Sequence, residues 1–247
     1  MRVIAVPCLQ DNYAYLVIDG DRAAVVDPSE AAAVEAALAR EGVALAAVWV
    51  THHHWDHVGG IGELVAAHPG IEVVAGAADA PKVAQATRSV NDGDEVALGS
   101  VRARIVHNPG HTLGAITFVA LGCAFTGDTL FGAGCGRVFE GDAAMMHASL
   151  SRLAALPPET RVYFGHEYTA SNLRFATAVE PGNADVARRA SELRTPSTGS
   201  TIAQERATNP FLRASEPAVV AAAQARGAAG DPVSVFAAIR GWKDGFK

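Results

Sequence analysis

Thr51-His52-His53-His54-Trp55-Asp56-His57 follows the apolar run Ala46-Ala47-Val48-Trp49-Val50 and precedes Gly59-Gly60. The apolar run reads as a buried strand, and Ile61, Leu64 and Val65 take up a helical spacing beyond the glycines. The histidines therefore occupy a tight loop leaving the end of a core strand, where α/β proteins gather their functional groups. Imidazole nitrogen and carboxylate oxygen are ligands that Zn²⁺ and neighbouring divalent metals accept. The spacing His-x-His-x-Asp-His gathers His52, His54 and His57, with Asp56 as a fourth donor, into a metal-binding cluster. A purification tag would lie at a terminus and lack the interleaved Asp. His53 points away from its neighbours in an extended loop and is read as a non-ligand.

Around this loop the chain alternates strands and helices. Val3 to Val6, Tyr13 to Ile18 and Ala23 to Val26 read as strands, and Ser29 is placed to cap a helix from Glu30 to Arg40 that Gly42 ends. Ile71 to Ala75 is a strand, Ala78 to Gln85 a short helix, and Glu95 to Leu98 with Val101 to Val106 a hairpin. Ala115 to Leu121, Ala124 to Thr126 and Arg161 to Phe164 complete the strands, with a helix from Met145 to Ala155 before the last. Beyond His166 the texture is helical, over Ala170 to Val179, Asp185 to Leu193, Pro217 to Arg226 and Pro232 to Gly241, with Thr195 to Thr201 as a connector. This predicts a mixed α/β domain over 1–169 and a small helical domain over 170–247.

The 247 residues, 49% of them hydrophobic, suffice for one large core, and the net charge of −6 speaks against a nucleic-acid partner. No apolar run is long enough to span a bilayer, and Pro7 and Asp11 interrupt the start of the chain, so neither a membrane nor a signal peptide is expected. Cys8, Cys123 and Cys135 share no C-x-x-C spacing, which fits a reducing cytoplasm, and a monomer is the default expectation.

Three further stretches repeat the strand-end design: Asn108-Pro109-Gly110-His111-Thr112, Thr126-Gly127-Asp128-Thr129-Leu130-Phe131 and Gly165-His166-Glu167-Tyr168. Each sets a His or Asp beside a glycine that permits close backbone approach. With the first loop this makes five His and two Asp, more than the three protein ligands typical of one catalytic zinc, and it suits two metals sharing a carboxylate. Two divalent ions set against Asp56, Asp128 and a hydroxide leave positive charge to stabilise an oxyanion. No G-x-S-x-G elbow, P-loop or G-x-G-x-x-G fingerprint competes with that reading.

These motifs (THHHWDH, PGHT, TGDTLF and GHEY, in that order) resemble the metallo-β-lactamase superfamily, and LQDNYAYL, FGAGCGRVFEG, GHEYTASNLRFA, ATNPFLR and VFAAIRGWKDGF resemble glyoxalase II, the hydroxyacylglutathione hydrolases, within it. The resemblance implies an αβ/βα sandwich of two mixed sheets flanked by helices, with a small C-terminal helical domain. It implies one metal on His52, His54 and His111, a second on Asp56, His57 and His166, and Asp128 as bridge. The ions would be Zn, with Fe or Mn as alternatives. Arg240 and Lys243 match positions that grip the glycine carboxylate of glutathione, and Tyr168 matches a tyrosine that contacts glutathione. Arg137 and Phe139 stand where many members carry Lys and Tyr; the first keeps the charge, the second loses a hydroxyl. The implied reaction is hydrolysis of S-D-lactoylglutathione by a metal-bridging hydroxide, with Asp56 and Asp128 as catalytic carboxylates, the second step of methylglyoxal detoxification. Rivals on the same scaffold are a lactonase, a β-lactamase and a persulfide dioxygenase, the last needing one iron rather than all seven donors.

Other residues carry plainer expectations. His68 and His107 belong to the surface or to strand ends, His147 to a structural hydrogen bond, and Asp11-Asn12 to a turn. Cys135 is expected as a small packed thiol, and Trp55 as packing beneath the metal loop.

Overall fold

The computed structural model describes residues 1–246. The strands are β1 (Arg2–Cys8), β2 (Asn12–Asp19), β3 (Arg22–Val26), β4 (Ala44–Val50), β5 (Glu72–Gly76), β6 (Arg88–Val90), β7 (Glu95–Leu98), β8 (Val101–His107), β9 (Ile116–Ala120), β10 (Cys123–Gly127), β11 (Leu130–Phe131), β12 (Gly134–Cys135), β13 (Arg161–Phe164) and β14 (Ser200–Thr201). The helices are α1 (Ala31–Glu41), α2 (Trp55–Val58), α3 (Ile61–Ala67), α4 (Ala143–Ala154), α5 (Thr169–Val179), α6 (Ala184–Glu192), α7 (Ile202–Thr208), α8 (Pro217–Gln224) and α9 (Pro232–Asp244). Among the described residues no helix is long and apolar enough to cross a membrane.

Two mixed sheets face each other. The first runs β1-β2-β3-β4-β5-β6, the second β14-β13-β10-β9-β8-β7, and β11-β12 forms a small ribbon. In the first, β3, β4, β5 and β6 are parallel neighbours while β1-β2-β3 is antiparallel. In the second, only β10 and β13 run parallel.

Strand β2 shows why the layers stack. Its alternation sends Tyr13, Tyr15 and Val17 into the space between the sheets and Ala14, Leu16 and Ile18 against the helix layer. Both faces are buried, so the strand is apolar throughout rather than alternating with polar residues. Between the sheets Trp49 stacks on Phe118 with ring centroids 5.2 Å apart. On the outer face of the first sheet, Val34 and Leu38 of α1 and Ile61 and Leu64 of α3 cover Val25, Val48 and Val50. The order is helix, sheet, sheet, helix.

Several local expectations are corrected. Ser29 does not cap α1, which begins without a side-chain cap at Glu30; its hydroxyl donates instead to the Asp56 carbonyl. The stretch 78–85 contains only a 3₁₀ turn at Ala80–Lys82, because Pro81 interrupts the backbone ladder and the chain turns directly to β6. The connector after Arg194 supplies β14, which pairs antiparallel with β13, and leads into α7, which sequence spacing missed. Trp55 does not pack beneath the loop: it is 71% exposed, because α2 starts at Trp55 itself and directs it outward.

A buried ion pair fixes the C-terminal helices to this frame. Glu205 on α7 is fully buried and accepts from Arg189 of α6 (2.6 Å) and from the Ala133 N–H of the β11-β12 turn (2.7 Å). Arg189 also donates to the Thr208 hydroxyl at 2.6 Å. Replacing Arg189 by Met leaves the Glu205 carboxylate buried without its cation, and denaturant unfolding is expected to show a loss of about 3–5 kcal/mol. Arg189→Met combined with Glu205→Leu removes both charges and is expected to recover most of it; a double variant no more stable than the single one would show that the pair is not what holds these helices.

Candidate metal centre

The seven predicted donors converge at one edge of the sandwich. Four segments carry them: the loop after β4, the loop after β8, the end of β10 and the end of β13. The one-turn helix α2 starts directly after His54, and this break in direction separates the donors of the first loop into two groups. His52, His54 and His111 form one, with His54 Nδ1 3.1 Å from His52 Nε2 and 3.0 Å from His111 Nε2. Asp56, His57 and His166 form the other, with the two Nε2 atoms 3.3 Å apart and Asp56 Oδ2 3.3 Å from His166. The cluster read from the first loop alone is therefore divided between the two groups, since His57 Nε2 faces His166 Nε2 although its ring stays beside that of His52, with centroids 4.1 Å apart. Asp128 stands between the groups, its Oδ2 3.6 Å from His111 and 3.3 Å from His166, and its Oδ1 3.3 Å from His57.

This donor set fits divalent ions. Ring nitrogens that face each other at 3.0–3.3 Å match the edge of a tetrahedron, which for metal–nitrogen bonds of about 2.0–2.1 Å is about 3.3–3.4 Å. Asp128 Oδ1 is buried without a hydrogen-bond partner, an arrangement that a cation would relieve. The imidazoles are also aimed from outside. His57 Nδ1 donates to Asp27 (3.0 Å), His166 Nδ1 to Asp11 (2.9 Å) and His111 Nδ1 to the Arg137 carbonyl (2.8 Å). His52 Nδ1 lies 3.1 Å from the Thr51 hydroxyl, which itself donates to Asp27. These bonds leave Nε2 of four histidines facing inward; only His54 presents Nδ1. A histidine–carboxylate bond on the far nitrogen fixes tautomer and ring direction in this way in many metal sites.

Burial first, then neighbouring histidines, holds the His52, His54 and His111 rings below the usual imidazole range. At His57 burial opposes the charge, but Asp128 and Asp27 outweigh it and raise the ring to about 10. At His166 burial is likewise outweighed, by Asp128, Asp56 and Asp11, and the ring rises to about 11. Burial would raise Asp128, yet His57 and His166 hold its carboxyl well below the carboxylate range.

A pocket of about 510 Å³ opens from this centre toward α9. His54, Asp56, His111, Asp128 and His166 line one end, Arg240, Lys243 and Ser171 the other, with Arg137, Phe139 and Tyr168 on the wall. All five residues expected to contact substrate thus face one space. Tyr168 stacks flat on His166, with 2° between the planes, and Phe139 sits against His54 and His111. Arg240 is buried, with one terminal nitrogen on the Cys135 carbonyl (2.8 Å) and the other on Asp244 (3.1 Å). Lys243 is freer, donating to the Ser171 hydroxyl at 3.2 Å.

Residues that sequence spacing underrated surround the centre. Asp11 and Asn12 do more than turn the chain: Asn12 donates to the Asp56 carboxylate at 3.1 Å, as Asp11 accepts from His166. Asp27 supports the centre without being one of the seven donors; the sequence signal that could mark it is its place directly after a strand, and the structure gives it a left-handed backbone (φ 49°). His53 faces Asp79 and Glu140, away from both donor groups. His68 pairs with Glu35, His107 bonds the Leu113 carbonyl, and Cys135 is a buried thiol that burial pushes up to about 11. His147 packs edge-on to Phe236 instead of serving as a hydrogen-bonded strut.

Residues 10–166 match the metallo-beta-lactamase superfamily, and residues 167–246 match the hydroxyacylglutathione hydrolase C-terminus. The hydroxyacylglutathione hydrolase of Cupriavidus taiwanensis is 50% identical over the whole of both chains, and that of Alkalilimnicola ehrlichii 49% identical over 98% of each. Among solved structures, ETHE1 from Myxococcus xanthus superposes with a TM-score of 0.67 at 29% identity, over 85% of this chain and 84% of the other. A protein solved in a di-iron-bound form superposes at 0.63 with 28% identity, over 86% of this chain and all of the other. With the sheets, the donor groups and both halves of the sequence in agreement, the chain belongs to the hydroxyacylglutathione hydrolases of the metallo-β-lactamase superfamily.

Proposed function

We propose that the protein hydrolyses S-D-lactoylglutathione, a 2-hydroxyacylglutathione thioester, to D-lactate and glutathione, the second step of methylglyoxal detoxification. The observation that carries the reading is the single pocket that joins the metal-binding groups to the basic end of α9. One end suits an acyl carbon and its oxygen; the other suits a carboxylate on an extended thiol. The same names attach to full-length relatives at 44–50% identity.

His52, His54 and His111 would hold one ion, Asp56, His57 and His166 the other, and Asp128 would bridge them. Zinc is the first choice, with iron or manganese compatible with the same nitrogen and oxygen donors. When bound, two divalent ions supply a hydroxide near neutral pH and polarise the acyl carbonyl. The chain supplies the rest. Asp27, Asp11 and the Arg137 carbonyl hold the outer imidazole N–H groups and so point Nε2 of His57, His166 and His111 into the centre, where a bound ion would take the place of the inner proton. Tyr168 and Phe139 close the walls over the centre, and Ser171 with Lys243 meets the peptide end of the substrate. Arg137, exposed at the rim, adds charge beside Asp244. Residues 170–247 act as the substrate-binding helical unit, and residues 1–169 as the hydrolytic one. A persulfide dioxygenase would require only one ion, and the presence of both donor groups favours the hydrolase. The three free cysteines fit a cytoplasmic setting, and the chain is taken to act as a monomer.

The first test is turnover of S-D-lactoylglutathione by the purified protein with metals counted on the same sample. Close to two ions per chain with rapid thioester cleavage is expected; two ions without cleavage would sink the glutathione assignment. Asp128→Ala is expected to lose bound metal and at least about 10²-fold in kcat, since it removes the one donor shared by both groups.

Lys243 gives a second test. Burial, followed by the charges of Arg240 and Arg174, lowers its ammonium to about 8, against the smaller opposing pull of Cys135 and Asp244. The charge is present below that pH and lost above it. The kcat/KM for glutathione thioesters is therefore expected to fall as pH rises through about 8, through KM rather than kcat. Lys243→Met should abolish that limb and leave thioesters of small uncharged thiols unaffected. An identical pH profile in the variant would remove Lys243 from carboxylate recognition.

A further inference from the structure

We propose that Asp79 is the positioning residue for the His52, His54 and His111 group, and for that group alone. The inference rests on the two-metal reading above.

Asp79 follows β5 and is 1% exposed. Its Oδ2 accepts the His53 N–H at 3.1 Å and the Thr112 hydroxyl at 2.8 Å, while Oδ1 accepts the Gly114 N–H at 3.1 Å. His53 lies between His52 and His54, and Thr112 follows His111. One carboxylate thus ties together the two loops that carry all three donors. The approach is close: a side chain at Gly114 would collide with Asp79. A second carboxylate extends the clamp. The His53 ring lies 2.9 Å from Asp79, off the line of a hydrogen bond, and 3.6 Å from Glu140. Glu140 accepts the Leu113 N–H at 2.8 Å and pairs with Lys82 at 2.6 Å.

His53, Asp79 and Glu140 come within the reach of a third cation. Their oxygens are already occupied, however, Asp79 by two N–H groups and a hydroxyl and Glu140 by Lys82 and Leu113. The arrangement is a hydrogen-bonded clamp. The other donor group has its own supports, Asp27 on His57, Asp11 on His166 and Asn12 on Asp56. Among the described residues, none of the Asp79 hydrogen bonds reaches that side.

A buried carboxylate that accepts three donors is hard to replace. In Asp79→Asn an amide group must face one of those donors, and the bond it loses opens one loop relative to the other. The test is chelator competition on the Co²⁺-loaded protein, with imidazole ¹⁵N signals identifying which histidines change. In Asp79→Asn one of two ions is expected to leave about 10–100-fold more readily, with changes confined to His52, His54 and His111. In Asp11→Asn the weakened ion should be the other, with the change at His166. Equal weakening of both ions in Asp79→Asn, or no weakening, would overturn the proposal. If Asp79→Asn does not fold, Thr112→Val removes only the bond on the His111 side; a smaller loss at the same ion is expected, and unchanged affinity would overturn it. Wild-type protein that binds a single ion refutes the two-metal reading, and refutes this inference as well unless that ion sits on His52, His54 and His111 and is loosened by Asp79→Asn.

Discussion

The constraint on which this structure depends is the crowding of seven metal-type donors into one small volume at the edge of the sandwich. Imidazole nitrogens stand 3.0–3.3 Å apart, and the Asp128 carboxylate is buried with one oxygen unsatisfied. Such a set is costly to assemble, because burial opposes the charge on both the imidazoles and the Asp128 carboxylate and leaves one carboxylate oxygen without a hydrogen bond. The chain holds it together by bonds made outside the centre. Asp27 alone accepts from Thr51 N–H (2.7 Å), the Thr51 hydroxyl (2.6 Å) and His57 (3.0 Å). Binding energy of the ions can then go into neutralising charge rather than into organising loops.

The two sheets meet at this edge through hydrogen bonds as well as through packing. Ile116 at the start of β9 donates to the Thr51 carbonyl at the end of β4 (2.9 Å), and Tyr13 of β2 donates to the Gly165 carbonyl after β13 (2.8 Å). Gly165 in turn donates to Gly127 at 2.9 Å. A side chain at Gly127 would strike Thr51, and the left-handed backbone there (φ 49°) favours glycine in any case. The glycines beside the donors thus mark where two sheets close to backbone contact, and strand ends from both sheets deliver donors into one small volume. The same closure explains why Asn12 and His166, far apart in sequence, form a bridge.

Sequence spacing reads well where structure is local. The strand before each donor motif, the glycine that ends α1 and the helices on either side of the first loop follow from apolar periodicity and punctuation. The seven candidate donors are legible because they fall in four short motifs, each in the segment that directly follows a strand. The outer carboxylates are not, because Asp11, Asp27 and Asp79 act on residues 24 to 155 positions away, and no local pattern encodes that pairing. Strand β14 is hidden for the same reason: two residues gain their strand character only from the edge of β13. The exposed Trp55 was misread because a large ring next to a metal loop suggests a core, whereas helix α2 sets its direction. The boundary between the two predicted units falls at the start of α5, where strand periodicity gives way to helical spacing, yet β14 carries the chain back into the second sheet.

The basic end of the pocket is not two equivalent cations. Arg240 has one acceptor on each terminal nitrogen, the Cys135 carbonyl and Asp244, while its Nε is buried without a partner among the described residues, so its fork is partly satisfied and it offers an anion charge at short range. Lys243 lies near the Phe175 and Phe246 rings at 5.4 and 5.9 Å and, among the described residues, has only Ser171 as a polar partner. A half-desolvated ammonium beside a second positive charge is the group that gains most from an arriving carboxylate, which restores both its solvation and its charge balance. The Arg240 guanidinium therefore acts twice: it lowers the proton affinity of Lys243 in the free protein and draws in the anion that raises it again. On the proposed reading, a carboxylate at the far end of the thiol is thus the feature of the substrate that this end of the pocket would select.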